Sequence, residues 1–117
     1  MSVVVKNESL RIEKLELGPF GTNTYIVTCP KTSMSAVVDA PGEADKILEQ
    51  LKGTTPKCIL MTHNHMDHVG ALLELKSKLS VPVAAHSADA GNLPLKPEQN
   101  LRDGHVVSIG EIQISVL

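Results

Sequence analysis

The sequence predicts an α/β chain built on a mixed β-sheet with helices on one face. Three observations lead there. Short apolar and β-branched runs recur between Gly and Pro breaks, a helical pattern falls between two of them, and a second helical pattern follows a polar, histidine-rich stretch. Strand, helix and strand in that order make a βαβ unit, whose two strands lie parallel. At 117 residues with 42% hydrophobic content, a single domain over residues 1–117 with one buried core is expected.

The elements follow in order. Leu10, Ile12, Leu15 and Leu17 alternate imperfectly with charges, and residues 24–28 (TYIVT) are β-branched and aromatic, so two strands joined around GPFGTN are expected. A turn at Pro30-Lys31-Thr32-Ser33 leads into a third strand over residues 35–39. In EADKILEQLKG, Ile47, Leu48 and Leu51 sit at helical spacing, acids come early, Lys52 comes late and Gly53 stops the run, which predicts a helix. Residues 57–61 (KCILM) form a short apolar run after Pro56 and read as a buried strand. Residues 69–79 predict a second helix, with Leu72, Leu75 and Leu79 on one side. A strand over 81–85, a helical turn over 87–91, a loop over 93–100 and a closing hairpin about Gly110 complete the pattern.

Composition narrows the function. Eleven Lys and Arg against thirteen Asp and Glu give a net charge of -2, so no basic stripe for a phosphate backbone is apparent. One Tyr, one Phe and no Trp leave few rings for stacking on bases. A small-molecule substrate is therefore expected and no nucleic acid. The apolar run Val3-Val4-Val5 is too short for a signal peptide, and nowhere do eighteen apolar residues run together, so a cytoplasmic protein without membrane contact is expected. Cys29 and Cys58 lie in apolar segments without C-x-x-C spacing, which predicts buried, reduced thiols.

Three of the five histidines fall within Thr62-His63-Asn64-His65-Met66-Asp67-His68. Random placement of this chain's five His and five Asp would produce such a run in about four of ten thousand sequences. Imidazole and carboxylate are the donors that zinc, iron and manganese sites draw on. On an extended backbone His63 and His65 point the same way, while Asp67 and His68 can face a second position. A polar loop capping the helix that begins near Val69 would need Asp67 alone, which leaves three histidines unexplained. The stretch also lies where a strand ends and a helix starts, the place where open α/β sheets hold ligands.

His63-x-His65-x-Asp67-His68, after an apolar strand and before Val69-Gly70-Ala71, resembles the metal-binding motif of the metallo-β-lactamase superfamily. The stretch from Leu17 to Val27 resembles the opening hairpin of its glyoxalase II-like branch, and Val37-Val38-Asp39-Ala40-Pro41-Gly42 resembles the lead into its first helix. Asp103-Gly104-His105 and the closing hairpin are similar to the segment before the family's next metal histidine.

The resemblance implies half of an αββα sandwich, with a metal site along one edge between the sheets. It implies that His63 and His65 bind one ion, that Asp67 and His68 bind a second, and that Asp67, the catalytic residue of this half, orients the attacking hydroxide. The ions would be zinc, in a pair, with iron or manganese as alternatives. The reaction implied is ester or thioester hydrolysis; a non-catalytic metal-binding module and a phosphodiesterase of the same superfamily are the alternatives. The family's later histidines and bridging aspartate have no counterpart here: His86 follows Val83-Ala84-Ala85 at a strand end and His105 begins a hairpin, neither in a matching context. With two protein ligands per ion, weak or absent metal and little hydrolysis are expected of this chain alone. The last strand stops at Leu117 without turn or polar tail, so the chain reads as an N-terminal half. A missing second sheet would leave apolar residues of the inner face in water, and a homodimer through that face is the expected partner arrangement.

Overall fold

The computed structural model describes residues 2–6, 9–17, 21–40, 42–61, 71–86, 99–101 and 106–115. Nine strands and two helices are assigned among them: β1 Ser2–Lys6, β2 Arg11–Leu17, β3 Thr22–Thr28, β4 Met34–Val38, α1 Ala44–Leu51, β5 Thr55–Met61, α2 Leu72–Leu79, β6 Val83–His86, β7 Gln99–Leu101, β8 Val106–Ile109 and β9 Ile112–Ser115. Strands β1 to β7 form one sheet in sequence order, and β8 and β9 form a separate hairpin. The pairs β1–β2, β2–β3 and β3–β4 are antiparallel, whereas β4–β5, β5–β6 and β6–β7 are parallel. The predicted mixed sheet is present, and each parallel step from β4 to β6 contains a helix, as βαβ geometry requires.

One face of the sheet carries both helices. Leu15, Leu17, Ile26, Val37, Ile59, Met61, Val83 and Ala85 pack there with Ala44, Ile47, Leu51, Leu72 and Leu75. Ile47 and Leu51 lie four apart on α1, and Leu72 and Leu75 three apart on α2, so each helix presents one stripe to the sheet. Helix α1 ends before Gly53, which lies at φ 83°, and α2 ends at Ser80, which lies at φ 52°. Ser35 is fully buried in β4; its hydroxyl meets Thr54 Oγ1 at 2.9 Å, and that hydroxyl donates to Leu51 O at 2.7 Å. A buried polar group that finds such partners avoids the cost of desolvation.

The opposite face is apolar too. Ala36, Cys58, Leu60, Ala84 and Leu101 line it, and Ile109 of β8 packs onto them with Val107, Ile112 and Ile114 of the hairpin. All five sheet residues are at most 8% exposed. The expectation that this face meets water is therefore corrected at its centre: the chain's own closing hairpin covers it. Both cysteines are buried and free, as predicted.

Element boundaries shift for identifiable reasons. Val3-Val4-Val5 belongs to an edge strand, β1, that pairs with β2; three apolar residues carry too little periodicity to announce a strand by themselves. Strand β5 starts at Thr55 and includes Pro56, tolerated because β6 does not join β5 until Val83 meets Ile59. Within the segment expected as loop, Gln99–Leu101 pairs with β6 as β7, a strand of three residues and too short for a readable pattern. The helical turn expected over 87–91 lies outside the described residues. The hairpin about Gly110 forms as predicted, with Gly110 at φ 59°.

Two outcomes follow. Ile47→Ala or Leu72→Ala, each emptying a fully buried position, should lower stability by about 2–5 kcal/mol in urea titration. Burial pushes the Cys58 thiol from 9.0 up to about 11. The folded chain thus keeps a proton that the unfolded chain releases, so stability should be level below pH 9 and fall as pH rises from 9 toward 11. A Cys58→Ala variant should lack that alkaline slope, read by thermal melts across the same range.

Candidate metal centre

The C-terminal ends of β4, β5 and β6 lie along one edge of the sheet, because the three strands are parallel and in register: Val38 pairs with Leu60 and Met61 with Ala85. At this edge β5 hands the chain to residues 62–70, and α2 takes it up again after Ala71. The predicted metal ligands His63, His65, Asp67 and His68 are in that stretch, and all four lie outside the described residues. What is described is the frame that holds the two ends of the stretch.

The frame is the exit of β4. Asp39 N–H donates to Leu60 O at 2.8 Å, tying that exit to the end of β5, and Ala71 N–H donates to Ala40 O at 2.7 Å, tying the same exit to the residue before α2. Two consecutive residues, Asp39 and Ala40, therefore hold Leu60 and Ala71, on either side of residues 62–70 in sequence. Ala71 is 5% exposed and Ala40 fully buried, so the second tie is sheltered from competing water.

Asp39 occupies the left-handed region at φ 69° and is 5% exposed. Asp and Asn reach this region at lower cost than most residues because their short polar side chains bond locally. The turn it makes ends β4 at Val38, one residue earlier than the predicted strand, and aims the following backbone at Ala71. Sequence reading placed Asp39 inside a strand. The signal available was its position, an acid closing an apolar run just before Ala-Pro-Gly.

Of the remaining histidines, His86 is the last residue of β6 and pairs with Leu101 of β7, one step beyond the Met61 and Ala85 pair. Its backbone therefore stands at the same edge as the C-terminal end of β5. His105 lies outside the described residues. Among the described residues no group of three His, Cys, Asp or Glu side chains could hold a metal ion. No helix among the described residues is long and apolar enough to cross a membrane.

Two neutral imidazoles with a further imidazole and a carboxylate fit a first-row transition metal by donor type, and the edge of a parallel sheet is where such a site belongs. Comparison with known proteins gives the following. A hydroxyacylglutathione hydrolase of Mesorhizobium japonicum is 37% identical over 94 residues, covering 79% of this chain and 36% of the hydrolase. A protein solved in a di-iron-bound form is 30% identical, with a TM-score of 0.66 over 80% of this chain and 55% of the other. The class B3 di-zinc metallo-β-lactamase LRA-12, from an Alaskan soil metagenome, shares the fold with a TM-score of 0.70 at 18% identity, over 92% of this chain and 48% of that enzyme. The chain spans about a third of the length of the curated hydrolases it matches. The model of the metallo-beta-lactamase superfamily matches residues 17–113, from the end of β2 into β9 and across the whole of 62–70. The chain belongs to the metallo-β-lactamase superfamily.

Proposed function

We propose that this chain supplies the first half of the metal site of a metal-dependent hydrolase acting on thioesters or esters. The observation that carries the reading is the pair of hydrogen bonds from Asp39 N–H to Leu60 O and from Ala71 N–H to Ala40 O, which hold both ends of the histidine-rich stretch at one sheet edge. A ligand loop held at both ends loses less freedom when it closes on an ion. In this reading His63 and His65 hold one ion, Asp67 and His68 hold a second, and Asp67 orients the attacking water. When bound, the metal lowers the pKa of water to about 7 and polarises the substrate carbonyl. Attack at a thioester carbonyl then breaks the C–S bond and yields an acid and a thiol.

The similarity to hydroxyacylglutathione hydrolases supports a thioester of that class as substrate. Zinc is the metal we assign, with iron and manganese accepted by the same donor types. The related folds hold a zinc pair in one case and an iron pair in another, so donor type by itself does not choose.

Metal content after purification without chelator is the direct test. With two protein ligands per ion the chain should retain metal only weakly, and the His63→Ala, His65→Ala double variant should retain none. Equal metal in both would remove the motif from the site. The Asp39 turn supplies a second outcome. Asp39→Val, strained at φ 69°, should cost about 1–2 kcal/mol of stability and lower metal retention, while Asp39→Asn keeps the backbone turn. Unchanged melting and metal content in Asp39→Val would show that the turn does not set the loop.

A further inference from the structure

Two threonines of β3 carry hydroxyls that are closed off from solvent and find no hydrogen-bond partner among the described residues: Thr24 Oγ1 and Thr28 Oγ1. Thr24 is fully buried and Thr28 is 7% exposed. An unpaired hydroxyl in such a place costs stability that a valine of the same shape would not. The two stand at opposite ends of the strand. Thr28 pairs with Arg11 and Ser35, at the end away from the histidine-rich stretch. Thr24 pairs with Leu15, a residue of the helix side, and lies one position beyond the pair Tyr25 and Val38, at the level of Asp39.

The surroundings leave the Thr24 hydroxyl few acceptors. Leu15, Leu17 and Ile26 belong to the apolar cluster on its side of the sheet, and Ala40 and Ala71 close the same corner without a polar side chain. Residues of this chain already enclose Thr24, so the acceptor is to be sought within it. Asp39 is the acidic group at that level, 5% exposed and about one strand spacing, ~5 Å, away. A carboxylate has room for about four hydrogen bonds, so a further donor can be added to those it already has.

Asp39 also ties β4 to Leu60, three residues before His63. A metal-bound imidazole passes its second ring N–H to a carboxylate or a carbonyl, and that outer bond is worth about 10–100-fold in metal affinity. Resting on the metal site proposed above, we propose that Thr24 is a positioning residue of that site: on metal binding its hydroxyl donates to the Asp39 carboxylate and fixes the rotamer in which the carboxylate meets a ligating histidine. Valine at position 24 would pack as well and remove an unpaired hydroxyl. It could not hold the carboxylate.

Zinc titration of the 117-residue chain by calorimetry, together with melting of the metal-free chain, tests this. Thr24→Val should bind zinc about tenfold more weakly than wild type, and without metal should melt at the same temperature or higher. Thr24→Ser, which keeps the hydroxyl, should bind zinc like wild type. Thr28→Val, the same exchange at the far end of β3, should leave zinc affinity unchanged. Asp39→Gly keeps the turn at φ 69° and removes the carboxylate, so Thr24→Val should add no further loss in that background. Where valine is not accommodated, Thr24→Ala should repeat the zinc loss. Thr24→Val binding zinc like wild type, while the His63→Ala, His65→Ala variant binds none, would overturn the proposal and leave the metal site standing. Zinc that binds regardless of the histidine substitutions, or that wild type does not bind at all, would overturn both.

Discussion

The parallel register of β4, β5 and β6 is the constraint on which the rest of this structure depends. Val37, Ile59 and Val83 share one line across the three strands and face the helices; Leu60 and Ala84, one residue on, face the hairpin. A slip of one residue would exchange these two sets and leave neither helix with its seat. The same register sets Met61 level with Ala85 and so fixes the edge at which the histidine-rich stretch leaves the sheet.

From that edge the chemistry follows by connection. Two backbone bonds at Asp39 and Ala40 hold the strand that enters the stretch and the residue that precedes α2. They require the chain to turn sharply at the end of β4, and Asp39 meets that requirement in a conformation most residues avoid. The helix that buries Leu72 begins one residue after the Ala71 tie.

The two faces of the sheet differ in how firmly they are closed. On the helix side, α1 and α2 are each anchored by residues that are fully buried, and the Ser35 and Thr54 hydroxyls satisfy each other beneath them. On the other side the cover is a hairpin seated by Ile109 and by the lack of any side chain at Gly110.

Much of this was legible in the residues alone. Apolar periodicity located β2, β3, β4, β5, both helices and the Gly110 hairpin, because each buries one stripe or one face whose spacing survives in the sequence. The clustering of His63, His65, Asp67 and His68 identified the candidate donors, since no core position demands such residue types. What the sequence left open was decided by partners far along the chain. Strand β1 exists because β2 offers it an edge, and β7 exists because Ala84 and His86 lie beside Gln99 and Leu101. The turn at Asp39 and the covering of the second face likewise depend on Leu60, Cys29 and Ala36, residues that periodicity cannot bring together. Local pattern is written in nearest neighbours along the chain; closure of a sheet, a corner or a face is written in contacts between distant ones, and the folded structure alone supplies those.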